Sequence, residues 1–221
     1  MDMRCSDEFF SLLIDLYVDK ASFFLKLLGE HIFLSVISIV IITVIGILLG
    51  IIIRNNKKLA TFIIGICNLC YTIPSIALFG ILLAITGIGI KSALIAIVLY
   101  GLLPVVRNTY IGIKEVDPMI IEAAIGMGTT NRQLLLKIQL PLASPVIIAG
   151  LRTMIVMTIA MVGIASFIGA GGLGVAIWRG ITTNNALMTV AGSILIAIVA
   201  IIADLIMGWI EKKIRQKVLG N

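Results

Sequence analysis

Long apolar runs dominate this chain, and its polar residues cluster between them. A run of about twenty residues matches the ~30 Å hydrocarbon thickness of a bilayer at 1.5 Å rise per residue. On this pattern five helical spans are predicted, at about residues 31–53, 59–85, 92–106, 145–168 and 186–210. Pro74 lies inside the second span and predicts a kink or a break there. Gly87 and Gly89 turn the chain into the third. A glycine-rich connection leads from the fourth to Asn185. Ahead of the first span, Phe9, Phe10, Leu13, Leu16 and Tyr17 recur at helical spacing, and so do Phe24, Leu27 and Leu28. That pattern fits an amphipathic helix at the membrane surface; a loosely ordered tail is the alternative.

The stretch between the third and fourth spans breaks the apolar rhythm. Asp117 stands where an N-cap belongs, followed by Pro118 at the first helical position, and Ala123 and Ala124 continue a short helix. Gly126 and Gly128 supply a stop, since glycine tolerates the left-handed conformation that ends helices. Thr130 and Gln133 have capping-box spacing for a second helix, with Leu134, Leu135 and Ile138 on one face. Pro141 is expected to end it. The prediction is two short helices joined at a glycine bend.

Composition agrees with a membrane protein: the 221 residues are 60% hydrophobic and only 13% charged, whereas soluble domains are about 45–50% apolar. The formal charge of +6 suggests nucleic acid until its distribution is read. Arg54, Lys57 and Lys58 follow the first span. Arg107, Lys114, Arg132 and Lys137 surround the polar loop, and Lys212, Lys213, Arg215 and Lys217 form the tail. Five spans put all three groups on one side. The other side holds Lys91, Arg179 and an N-terminal segment in which Asp2, Asp7, Glu8, Asp15, Asp19 and Glu30 outnumber Arg4, Lys20 and Lys26. The positive-inside rule then makes the loop and C-terminus cytoplasmic and the N-terminus external, with no nucleic-acid partner implied. The expected layout is an extracytoplasmic segment over residues 1–30, a transmembrane domain over 31–211 and a basic tail over 212–221.

Catalytic chemistry finds no support. His31, the one histidine, is expected at the water-facing edge of the first span. No Gly-Lys dipeptide exists to form a phosphate-binding loop. Cys67 and Cys70 form a lone CxxC inside an apolar run, read as two small apolar thiols, and Cys5 stands apart; no metal site is expected. Acidic residues interrupt the first 30 positions, so no cleavable signal peptide is read there. Gly169, Gly171 and Gly174 satisfy G-x-G-x-x-G, but a span precedes them where a dinucleotide fold requires a strand. With Gly172 they are read as irregular backbone or tight helix packing. Pro74 and its polar neighbours Tyr71, Thr72 and Ser75 are pathway or gate candidates, with a packing kink as the plainer account. Arg152 and Asp204 lie at matching depths in the fourth and fifth spans and are expected to pair; alternatively Arg152 snorkels and Asp204 lines a wet cavity.

Glu122, Ala123, Ala124, Gly128, Ile138, Leu140 and Pro141 carry a resemblance. Their order and spacing resemble the EAA loop of permease subunits of binding-protein-dependent ABC importers. The flanking TIPS at Thr72–Ser75, LPVVRNTYIGI at Leu103–Ile113 and ASFIGAGGLG at Ala165–Gly174 are similar to the branch importing glycine betaine, carnitine and choline. The likeness covers most of the chain from about His31 onward. It implies an all-α membrane protein of type I importer permease plan, with five transmembrane helices and the loop between the third and fourth. It also implies a cell-membrane location, two separate ABC ATPase subunits that bind the ATP and magnesium, an extracytoplasmic substrate-binding protein, and a second permease subunit as homo- or heterodimer. The chain itself would be no enzyme and would bind no cofactor. Glu122 and Arg132 would face the ATPase cleft or brace the bend, Gly128 would make the turn, and Ile138 and Pro141 would key the loop onto the membrane domain. Gly169, Gly171, Gly172 and Gly174 would dock the binding protein or gate the path. A methionine-type or other amino-acid permease shares the plan; an ATPase-independent adaptor or channel is the alternative of another class.

Overall fold

The computed structural model describes residues 3–220. Met1, Asp2 and Asn221, and the side chains of Arg4, Cys5, Asp7 and Glu8 invoked above, lie outside the described set. Among the described residues every regular element is helical. In order these are α1 (Met3–Asp19), α2 (Ala21–Ile53), α3 (Lys57–Thr72), α4 (Ser75–Thr86), α5 (Ile90–Lys114), α6 (Pro118–Gly126) and α7 (Asn131–Gln133). A π-helical segment (Leu134–Gln139), α8 (Leu140–Ala165), a 3-10 turn (Ser166–Ile168), α9 (Gly174–Thr182) and α10 (Ala186–Leu219) follow. Four helical stretches are long and apolar enough to cross a membrane: Ala21–Ile53, Ile90–Lys114, Asn131–Ile168 and Ala186–Val218. Counted as one span, the bent pair α3–α4 makes a fifth.

The helices outrun the hydrophobic runs that predicted them. α2 begins at Ala21 rather than His31, and α5 continues through Pro104 and Arg107 to Lys114 rather than stopping at Val106. Hydropathy marks where lipid ends; a helix ends only where backbone geometry or capping stops it. Inside α5 the Asn108 side-chain amide donates to the Pro104 carbonyl at 2.7 Å, next to the missing proline donor. Pro141 does not end the second loop helix, contrary to expectation. The π segment precedes it, with Leu140 N–H donating five residues back to Leu135 O, and the helix continues into α8. Widening the ladder there relieves the clash between a proline ring and the preceding turn. The connection to Asn185 also differs from expectation, since it contains α9, whose Gly174, Ala176 and Gly180 are buried.

The chain divides into two compact units. One draws on the chain up to Ser38, on Pro74–Ile97 and on Thr158–Ile202. Its core joins Leu13, Phe24 and Leu27 to Leu173, Ala176, Met188 and Ala191. Tyr17 Oη donates to Ala191 O at 2.8 Å, so α1 is a docked helix rather than a loose tail. His31 is fully buried, not water-facing. Gly172 lies over it, and a Cβ there would come within 3.2 Å of His31 Nδ1.

The other unit draws on Ile39–Ile73, Val98–Met157 and the chain from Ala203. One core group joins Ile53, Ala60 and Cys67 to Leu103 and Val106; another joins Ile113 to Ala143 and Ile147. Cys67 is buried and Cys70 half-buried, both as free thiols. Gly46 and Gly50, one turn apart on α2, sit directly against α5. Cβ atoms there would fall 2.6 Å from Val105 Cγ1 and 2.5 Å from Thr109 Cβ. Lipid offers no hydrophobic drive between helices, so such close approach is what holds them.

Gly50→Val should lower the thermal unfolding midpoint of the purified protein, at a cost of about 1–3 kcal/mol for overpacking. Gly65→Ala on α3, where no heavy atom lies within 4 Å of the added Cβ, should not lower it. Thermal unfolding in detergent checks both; equal midpoints for the two variants would contradict the packing account.

Candidate functional site

Each sequence signal in the loop between α5 and α8 has a backbone counterpart. The Asp117 carboxylate accepts from Met119 N–H at 2.8 Å, with Pro118 at N1. α6 then ends in a Schellman arrangement: Gly128 N–H donates to Ile125 O at 2.9 Å and Thr129 N–H to Ala124 O at 3.2 Å. Gly128 adopts φ +82°, a left-handed conformation natural to glycine. Thr130 opens α7 with a reciprocal capping box: its N–H donates to Gln133 Oε1 at 3.0 Å, and Gln133 N–H to Thr130 Oγ1 at 3.4 Å.

The loop stands on Ala124 and Leu134, which are buried, while Leu135 and Leu140 pack on the Ile113–Ala143–Ile147 core. Its outer side is Met119, Glu122, Ala123, Gly126 and Met127, all exposed. Met119 and Met127 are 76% and 79% exposed, although they lie outside the membrane-length helices. Flexible methionines around small residues and one carboxylate suit a docking surface. Glu122 and Arg132 are exposed, and neither forms an ion pair among the described residues, so the bend is held by backbone bonds. Ile138 is half-buried and Pro141 exposed; Leu135 and Leu140 make the recorded core contacts. Pro141 instead borders an open hollow with Leu142, Ser144, Ile214 and Lys217.

Arg152 on α8 meets Asp204 on α10 in a two-pronged contact: Nε to Oδ1 at 2.6 Å and a terminal nitrogen to Oδ2 at 2.7 Å. Its other terminal nitrogen donates to Glu211 at 3.1 Å. Asp204, Gly208 and Glu211 lie on one strip of α10. A Cβ at Gly208 would come within 3.2 Å of the Arg152 guanidinium carbon, so the glycine makes room for the cation. Glu211 as a third member escaped sequence reasoning; its seven-residue spacing from Asp204 was the available signal.

The remaining candidates occupy other places. At Ile73 and Pro74 the backbone is extended, with ψ 129° and 132°, so the helix stops between α3 and α4. This is a break, not a kink. Tyr71 and Thr72 finish α3; Thr72 Oγ1 donates to Leu69 O at 2.8 Å, and the Tyr71 ring lies 5.7 Å from that of Tyr100. Ser75 opens α4. Gly169, Gly171 and Gly172 all have positive φ, and Gly172 N–H donates to the Glu30 carboxylate at 3.1 Å. Gly174 abuts the Gly163 carbonyl so closely that no Cβ fits. The glycine turn is thus pinned to α2 by Glu30 and His31, neither of which its spacing announced. Among the described residues no group of three or more His, Cys, Asp or Glu side chains is arranged to hold a metal.

Four membrane-length helices, one bent helix pair and a capped, exposed loop define a polytopic membrane protein. Residues 42–216 match the family model described as binding-protein-dependent transport system inner membrane component, and the chain belongs to that family, the permease subunits of ABC importers. It is 39% identical over 201 residues to the carnitine transport permease protein OpuCD of Listeria monocytogenes, covering 90% of each chain. It is 38% identical over 208 residues to the glycine betaine/carnitine/choline permease protein OpuCD of Bacillus subtilis, covering 93% of this chain and 91% of that one. An ergothioneine transport permease/ergothioneine binding protein, EgtU of Helicobacter pylori, is 46% identical over 164 residues. That match takes in 74% of this chain, which spans only 30% of that protein's length. The fold is similar to that in inward-facing structures of the MetNI methionine ABC transporter, with TM-score 0.76 and 22% identity, over 86% of this chain and 95% of that one.

Two outcomes test the site. Gly128→Val forces a β-branched residue into left-handed backbone, a strain of order 1–3 kcal/mol, and should abolish solute uptake while the protein still inserts. Gly128→Asn should retain part, because asparagine tolerates that region; uptake normalised to membrane abundance reads both. In the charge cluster, Arg152→Ala strands two carboxylates, whereas Asp204→Ala leaves Glu211 to the arginine. Folded yield should therefore fall most for Arg152→Ala, less for Asp204→Ala and least for Glu211→Ala, measured by fluorescence size-exclusion of the extracted protein.

Proposed function

We propose that this permease translocates a small quaternary-ammonium osmoprotectant (glycine betaine, carnitine or choline) and that the α6–α7 loop is where an ATPase subunit engages it. The observation that carries the coupling reading is the exposed Met119–Glu122–Ala123–Met127 surface on a loop locked by caps at both ends. From Asn131 to Ile168 the helix is unbroken, so a push on the loop passes into a membrane span rather than dissipating in a hinge. The Arg152 cluster fastens that rod to α10. Two ATPase subunits, holding ATP and magnesium, would act on two such loops, one in each half of a permease dimer. The loop and C-terminus face the cytoplasm and the N-terminus the outside, in keeping with the basic residues around Arg54, Arg107 and the tail. A substrate-binding protein delivers the solute on the outer side, where the Gly169–Gly174 turn docks it or gates the entrance.

The substrate class rests on the relatives that match nearly full length, whose names specify carnitine, glycine betaine and choline. The methionine reading has only fold likeness at 22% identity behind it. Ergothioneine is a second reading, favoured by the 46% identity over 164 residues; like glycine betaine and carnitine it carries a trimethylammonium group and a carboxylate. Radiolabelled uptake in a strain lacking this permease, with and without the permease restored, is the test. Glycine betaine, carnitine or choline uptake is expected. Uptake confined to ergothioneine favours the second reading, and uptake confined to methionine refutes both.

A further inference from the structure

We infer that the polar face of α3, with Arg107 and Tyr110 of α5, lines the cytoplasmic half of the solute path, and that Arg107 and Lys57 receive the carboxylate of a zwitterionic solute. This deepens the osmoprotectant reading and rests on it for the solute and the orientation.

α3 has three sides. Ala60 and Cys67 are buried in the unit's core. Phe62, Ile66 and Leu69 form an exposed apolar side, with Phe62 and Leu69 each 65% exposed, suited to lipid. Lys57, Thr61, Gly65, Asn68, Tyr71 and Thr72 recur every three or four residues and form an exposed polar strip. Thr61 and Thr72 return their hydroxyls to helix carbonyls at 3.0 and 2.8 Å and so tolerate hydrocarbon. Asn68 does not: its amide has no hydrogen-bond partner recorded among the described residues. It lies eleven residues from Lys57, ~16 Å along the helix and about halfway through a ~30 Å hydrocarbon core. Exposed polar side chains at that depth face water or protein, not lipid tails.

The strip opens on a hollow of about 520 Å³ bounded by Ala60, Ile64, Gly65, Asn68, Leu103 and Tyr110, with Lys57 and Arg107 also at its wall. That volume is within the ~300–1,000 Å³ typical of small-molecule sites. Gly65 is not there for close packing, since nothing lies within 4 Å of an added Cβ; its missing side chain leaves the hollow clear. Lys57 and Arg107 are exposed, and neither has an ion-pair partner among the described residues. Two unneutralised cations attract a carboxylate and repel a bare ammonium. An anionic lipid headgroup would satisfy the same two cations, but its acyl chains would then lie along Asn68, where the strip is polar.

Single cysteines at Gly65, Asn68, Phe62 and Leu69, in the assembled transporter with Cys5, Cys67 and Cys70 replaced by alanine, test the path in membrane vesicles. A charged, membrane-impermeant thiosulfonate should modify positions 65 and 68, more slowly with glycine betaine present, and spare 62 and 69. Gly65→Leu should reduce uptake at least tenfold at normal abundance. Arg107→Gln should raise the KM for glycine betaine and carnitine about tenfold while leaving choline uptake unchanged or improved. Equal labelling at all four positions, labelling set by the phosphatidylglycerol content of the vesicles instead of by solute, or normal uptake by Gly65→Leu overturns the path. An equal effect of Arg107→Gln on choline overturns the carboxylate assignment. If no quaternary ammonium is transported, labelling at 65 and 68 that responds to ATP still upholds the path, while the solute reading falls.

Discussion

Hydrocarbon supplies no hydrogen bonds, so every interruption of a helix in this protein has to satisfy its own backbone. The interruptions show how it does so. Even in the exposed loop, the freed carbonyls of Ala124 and Ile125 at the end of α6 accept from Thr129 and Gly128. Between α4 and α5, Gly87 N–H donates to Leu83 O and Gly89 N–H to Ile168 O, while Ser92 caps the Gly87 carbonyl. After α8 the 3-10 turn closes on Gly169, the Ser166 hydroxyl donates to Gly171 O, and Glu30 takes the Gly172 N–H. Glycine supplies the backbone shapes, and nearby polar side chains supply the partners. Irregular backbone survives in a membrane only where it is held this firmly or faces water.

The same constraint sorts the charges and amides. Arg152 inside a predicted span is tolerable because three of its donors meet Asp204 and Glu211, and because Gly208 leaves space for the guanidinium. Asn68 has no comparable arrangement. A polar side chain at mid-membrane depth calls for water or another protein surface beside it, not lipid tails. The satisfied cluster braces two helices, while Asn68 stays exposed on α3.

Coupling in such a molecule depends on stiffness between the loop and the spans. Leu135 and Leu140 anchor the loop to the core formed by Ile113, Ala143 and Ile147. The π segment at Leu134–Gln139 lets Pro141 sit inside a continuous helix instead of ending it. A proline that stopped the helix would have placed a joint between the α6–α7 loop and α8.

The sequence by itself determined the membrane class, the approximate spans and the local chemistry of the loop. Hydropathy, capping residues such as Asp117 and Thr130, and the glycine at 128 act over a few neighbouring positions and are readable there. Tertiary structure decided what depends on distant partners. The spacing of Asp204 and Glu211 is visible in the chain, but only packing of α8 against α10 brings Arg152 to both. His31 looked like an interfacial residue until Gly172 was found lying over it. Pro141 looked like a stop because the π turn that absorbs it has no signal in residue type. The polar strip of α3 was spelled out as Thr61, Gly65 and Asn68, yet its meaning needed the fold. Only packing buries Ala60 and Cys67 on one side and leaves the strip open beside Arg107 on another.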